Sequence, residues 1–204
     1  KAFKLHSQGN LLEAAKFYQY FIDQGFENHQ VLSNYGSILK RLGQLKKAEL
    51  LQRKAIELKP DFANAHSNLG NILTEFGQLK EAELSIRKAI ELKPDLADAH
   101  SNLGRILRDL GQLKEAELSI RKAIELNPDF AMAHNNLGNI MRELNQLKEA
   151  ELSTRKAIEL NPNFAIAHNN LANILVDLGQ LKEAELSTRK AIELSPDFHN
   201  AHSN

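Results

Sequence analysis

Residues 63–96 read ANAHSNLGNILTEFGQLKEAELSIRKAIELKPDL. Ala65, Leu69, Ile72, Leu73 and Phe76 recur at steps of three and four, the period of one face of an α-helix. Gly77 follows and suits the left-handed conformation that ends a helix. A second stripe begins at once with Leu79, Ala82, Ile86, Ala89 and Ile90. Pro94 then forbids continuation, because it lacks an amide donor and collides with the preceding turn. Asp95 is expected to cap the next helix, as are its counterparts Asp61, Asp129, Asn163 and Asp197. The stretch therefore predicts a helix–turn–helix hairpin.

The hairpin is repeated. Pro60, Pro94, Pro128, Pro162 and Pro196 stand 34 residues apart, and so do His66, His100, His134, His168 and His202. A fixed period of this length marks a stacked-repeat architecture. Full units run 29–62, 63–96, 97–130, 131–164 and 165–198; residues 1–28 fit a divergent partial unit, and 199–204 open a further one. One hairpin cannot bury its own apolar faces, so neighbours must stack. The expectation is an all-α chain, a single α-solenoid of antiparallel helix pairs over 1–204. Gly70, Gly104, Gly138 and Ala172 are small enough for helices to approach closely.

The pattern strongly resembles the tetratricopeptide repeat family, whose signature is W-x2-L-G-x2-Y, then A-x3-F, then P. Leu69-Gly70, Leu73, Ala82, Ile86 and Pro94 occupy those places. The resemblance implies a right-handed superhelix whose first helices line a concave groove. His66 and its copies replace the usual large aromatic residue. Gln52, Thr154 and Thr188 stand where Ile86 and Ile120 stand elsewhere, which predicts looser packing there. The phrases PDFANAHSNLG and PDLADAHSNLG are also similar to the repeat arms of O-linked N-acetylglucosamine transferases, where asparagines grip substrate backbone. Carried over, that implies a peptide-binding ladder of Asn34, Asn68, Asn102, Asn136 and Asn170.

The residues themselves support a separate polar face. Asn64, Asn68, Asn71 and Glu75 are spaced four, three and four, off the apolar stripe. Stacked helices lie about 8–10 Å apart, too far for an asparagine to reach its own copy. An extended peptide advances about 3.3 Å per residue, so the ladder could meet about every third peptide unit. An Asn amide both donates and accepts, so it holds main chain without reading side chains. The Asn68 column is asparagine in every unit, while its neighbours drift: Gln30, Asn64, Asp98, Met132, Ile166, and Ser37, Asn71, Arg105, Asn139, Asn173. Copying by duplication is the competing explanation. Specificity is expected from Asn64, Asn71, Glu75, Asp98, Arg105, Arg108, Asp109, Asn139, Arg142, Glu143, Asn173 and Asp177. Lys40 and Arg41 make the groove basic early, Asp177 acidic late, and Met132, Ile166 and Val176 add apolar surface.

Other chemistry is poorly supported. The 26 basic and 26 acidic residues cancel, so nothing draws the chain to nucleic acid or an anionic membrane. No apolar run approaches a membrane span, and the opening KAFKLHSQGN, without an apolar h-region, gives no expectation of a signal peptide. There are no cysteines, no phosphate loop, no HExxH and no catalytic triad pattern, so neither cofactor nor enzymatic activity is expected. The histidines fall one per unit, too dispersed for a metal site, and are expected to pack half-buried. A chaperone-tail clamp would need lysine where Ser67, Ser101 and Asn135 stand. The expected function is a protein-interaction scaffold, with a cytoplasmic location. The alternatives are a substrate-recruiting arm of a larger enzyme and end-to-end self-association.

Overall fold

The computed structural model describes residues 2–196, and these form twelve α-helices. The chain divides into two compact units, Lys1–Asp95 and Leu96–Asn204. The first contains α1 (Ala2–Ser7), α2 (Leu11–Asp23), α3 (His29–Arg41), α4 (Leu45–Leu58), α5 (Ala63–Glu75) and α6 (Leu79–Leu92). The second contains α7 (Ala97–Asp109), α8 (Leu113–Leu126), α9 (Ala131–Glu143), α10 (Leu147–Leu160), α11 (Ala165–Asp177) and α12 (Leu181–Leu194). The helices pair as antiparallel hairpins, α3 with α4, α5 with α6, α7 with α8, α9 with α10 and α11 with α12, and the apolar stripes of the α5–α6 hairpin are buried: Ala65, Ile72, Leu73, Ala82, Ile86 and Ala89 are all fully enclosed. Asp197, His202 and Asn204 lie outside the described residues.

The turn inside each hairpin is fixed by the backbone. In α5 the amide of Gly77 donates to Thr74 O at 2.9 Å, and that of Gln78 donates to Leu73 O at 2.9 Å. Gly77 has φ +72°, where glycine carries no Cβ penalty. Asn145 takes the same place after α9 with φ +59°.

The expected aspartate caps are corrected. The caps of α5, α7, α9 and α11 are Phe62, Leu96, Phe130 and Phe164, with no side-chain bond to the helix. Asp61 falls one residue too early, because Pro60 and Asp61 form a turn closed by Phe62 N–H donating to Lys59 O at 3.1 Å. Side-chain caps do occur on α2 and α3, where Asn10 and Asn28 accept from Glu13 N–H and from Gln30 and Val31 N–H.

Close approach depends on the glycines as expected. A Cβ on Gly70 would lie 2.6 Å from Ile86 Cγ1, and one on Gly104 would lie 2.5 Å from Ile120 Cδ1. Of the polar replacements, Gln52 and Thr154 are fully buried, so the packing is not opened there, while Thr188 is half-buried. Gln52 Nε2 donates to Ser33 O at 2.9 Å. Thr154 Oγ1 has no partner.

Within each unit the first helices of the hairpins approach one another directly, α3 with α5, and α7 with α9 with α11. The second helices, α4 and α6, and α8, α10 and α12, do not come within 8 Å at Cα. The face made by first helices is therefore the tighter, inner one.

Candidate functional site

The inner face of each unit carries the asparagines. In the first unit Asn68 Nδ2 donates to Ser33 Oγ at 3.2 Å. In the second, Asn136 Nδ2 donates to Ser101 Oγ at 3.3 Å and Asn170 Nδ2 donates to Asn135 Oδ1 at 3.0 Å. The acceptors Ser33, Ser101 and Asn135 are at most 2% exposed. Each donor reaches back 35 residues, to the position just before its own copy. So the ladder is tied into the stack, which the sequence reading did not foresee. The sign of it was present as a polar column: Ser33, Ser67, Ser101, Asn135, Asn169.

These bonds fix the amide planes. Asn68, Asn102 and Asn170 are half-buried, while Asn136 is 9% exposed. Among the described residues, Oδ1 of Asn68, Asn136 and Asn170 accepts no hydrogen bond, and each Nδ2 retains its second proton. Asn34 sits beside Tyr18: burial pushes the Tyr18 hydroxyl pKa up, and the Asn34 amide offsets part of that rise.

The expected specificity residues fall into two sets. The charges mostly neutralise each other at the same 35-residue offset. Lys40 Nζ lies 2.7 Å from Glu75, Arg108 Nε 3.7 Å from Glu143, and Arg142 Nε 2.5 Å from Asp177. Arg108 also meets Asp109 at 2.7 Å, with Arg105 4.0 Å from the same carboxylate. The inner face is thus studded with paired charges. Asn64, Asp98 and Asn173 are exposed, and Asn139 is half-buried. Asn71 is half-buried and its Oδ1 is an unpartnered buried acceptor. Met132, Ile166 and Val176, on the first helices of the second unit, are 43–53% exposed.

The histidines pack half-buried, as expected, but with a bond the sequence did not announce. Nε2 of His66, His134 and His168 donates to the carbonyl oxygens of Pro60, Pro128 and Pro162 at 2.8–2.9 Å. The ring therefore ties the start of α5, α9 and α11 to the turn before each. Among the described residues, no group of His, Asp or Glu could hold a metal ion, and no helix is long and apolar enough to cross a membrane.

A stack of helical hairpins with a bonded polar inner face defines a helical-repeat protein, a class that presents surfaces to partners. The chain belongs to the tetratricopeptide repeat family, a family of protein–protein interaction scaffolds. Profiles described as "Tetratricopeptide repeat" match residues 97–130, 29–62, and 51–83, 120–151 and 154–185, and one described as "TPR repeat" matches 70–106. No curated protein matches the chain. Among solved structures, the chain is similar to YrrB, described as a TPR protein with an unusual peptide-binding site. The identity is 26%, the TM-score 0.66, and 90% of this chain and 94% of that one are covered. It shares its fold with PilF of Pseudomonas aeruginosa at 22% identity and TM-score 0.75, over 82% of this chain and 76% of that one. It also shares its fold with a chain of the APC/C Cut9–Hcn1 hetero-tetramer at 16% identity and TM-score 0.88, over 96% of this chain and 39% of that one.

Proposed function

We propose that the inner first-helix face binds an extended peptide of a partner protein, through the main chain, at the ladder asparagines. The observation that carries this is the orientation of the amides. The Nδ2 groups of Asn68, Asn136 and Asn170 are committed to the neighbouring hairpin, so their Oδ1 atoms are held in a fixed direction with acceptor capacity unspent. An amide already fixed costs little further side-chain entropy on binding. The paired groove charges favour a ligand of mixed or low charge, because a strongly charged peptide would have to compete for them. Met132, Ile166 and Val176 supply apolar contacts in the second unit. The similarity to YrrB supports the reading by its own peptide-binding description.

The test uses peptides selected from a random extended-peptide display library on the whole chain. The double variant Asn102→Ala with Asn136→Ala is expected to weaken the selected peptides by at least about tenfold, about 1.4 kcal/mol. Ser101→Ala is the control: it removes the tie but keeps the Asn136 amide, so it should cost stability first and affinity less. Unchanged affinity in the asparagine variant, with helix content intact, would refute the proposal and leave the ladder a device of the stack alone.

A further inference from the structure

The second helices carry a feature the inner face does not use. Leu50 and Leu84 in the first unit, and Leu118, Leu152 and Leu186 in the second, occupy one column of the repeat. Their side chains are 66–69% exposed. One exposed leucine is ordinary, but one at the same outward position of every full hairpin makes a row.

Because α8, α10 and α12 stand apart, two clefts open beside that row in the second unit. One, of about 520 Å³, lies between α8 and α10 over His134 and Leu137. The other, of about 490 Å³, lies between α10 and α12 over His168 and Leu171. Each is straddled by an ion pair, Arg121–Glu149 at 2.5 Å and Arg155–Glu183 at 2.6 Å. These pairs raise the pKa of both guanidiniums. In Arg121 the bond to Glu149 leads; in Arg155 burial opposes the rise and the bonds to Glu183 and Glu151 overcome it.

We propose that this outer face of the second unit is an interface between two copies of the chain. Pitch is the first argument. Leu118 and Leu152 are one repeat apart, and so are the two clefts, so a second copy matches the spacing by construction. An antiparallel copy that receives Leu152 over its His134 cleft also receives Leu118 over its His168 cleft. Two-fold symmetry then returns both contacts, giving four seated leucines. Charge is the second argument. The edge of the first cleft carries Arg121, Lys156, Glu125 and Glu149, two cations and two anions. A balanced edge meets a copy of itself without net repulsion, whereas a strongly acidic or basic partner gains nothing from it. In the first unit a similar cleft of about 420 Å³ lies between α4 and α6 over His66 and Leu69.

The test is the mass of the whole chain by sedimentation equilibrium over a concentration series. A concentration-dependent doubling is expected. Leu118→Glu with Leu152→Glu should return the monomer, and Leu118→Ala with Leu152→Ala should weaken association by roughly tenfold or more. Asn136→Ala should leave it unchanged, which separates this face from the peptide groove. Circular dichroism checks that the variants keep their helices; if the glutamates disturb them, the alanine pair decides. A chain monomeric at every concentration overturns the proposal and leaves the leucine row to a different protein. A dimer that survives either leucine pair with helices intact overturns it as well.

Discussion

Thr154→Ile should stabilise the protein, and the structure says by how much. Thr154 is fully buried on α10, and its hydroxyl has no partner. That hydroxyl points at the backbone of Gly138: a Cβ there would lie 2.1 Å from Oγ1. The same site on α6 and α8 holds Ile86 and Ile120, fully buried against Gly70 and Gly104, so an isoleucine already fits the scaffold. Removing an unsatisfied buried hydroxyl is worth about 1–3 kcal/mol. The added methylene contributes about 0.8 kcal/mol, and imperfect fit subtracts about 1 kcal/mol. The expected gain is about 2 kcal/mol, or roughly 4–8 °C in a chain of this size. Urea unfolding followed by circular dichroism measures it as a rise in midpoint without a change in slope. Thr188→Ile is the internal control. There Ala172 replaces the glycine, and Thr188 Oγ1 donates instead to Ala184 O at 3.0 Å. Bulk added against Ala172 should cost about 1–3 kcal/mol. If Thr154→Ile gives no gain, or Thr188→Ile gains as much, the orphan hydroxyl is not the source of the cost.

Three further outcomes follow from packing and burial. Gly104→Ala drives a Cβ into Ile120 and should destabilise by about 1–3 kcal/mol in chemical denaturation. Gly138→Ala would place its Cβ 2.1 Å from Thr154 Oγ1 and 3.2 Å from Ala150 O, and should likewise destabilise by about 1–3 kcal/mol. At the N-terminus, burial and then the Arg41 charge hold the His6 imidazole below its usual pKa of 6.5. The folded unit therefore favours neutral His6. Its contribution is complete above pH 6.5, declines as the pH falls from there to the folded pKa, and is constant below it. His6→Gln should flatten that decline in a pH series of unfolding curves, and an unaltered decline would assign it to other groups.

The hairpins were legible because their signals are local. A stripe of three- and four-residue steps, a glycine and a proline each act within a few residues, and the five copies agree. The caps were misread because a single-residue shift, set by the Pro60–Asp61 turn, decides whether an aspartate can reach the helix amides. The asparagine column is legible in the sequence, but the partners of its amides are not. Asn136 meets Ser101 because adjacent first helices are staggered by one residue, and that stagger is a property of packing. The paired groove charges escaped for the same reason: Lys40 and Glu75 are ordinary residues of their own helices until the stack sets them side by side. The histidine bonds to Pro60, Pro128 and Pro162 were within reach of the sequence, since six residues separate donor and acceptor. The unspecific wish for an aromatic at that place obscured them.

The back-reaching asparagine bonds bear on how such a chain can change its length. Hairpin 131–164 brings both halves of the joint: Asn136 donates to the hairpin before it and Asn135 accepts from the hairpin after it. Excising residues 131–164 would bring the Asn170 donor to the acceptor Ser101, and duplicating them would insert a matching joint. Serine and asparagine serve equally as the receiving group, as Ser101 and Asn135 show. Within the second unit the joint therefore survives loss or gain of the 131–164 repeat, with each asparagine donor meeting a receiving group.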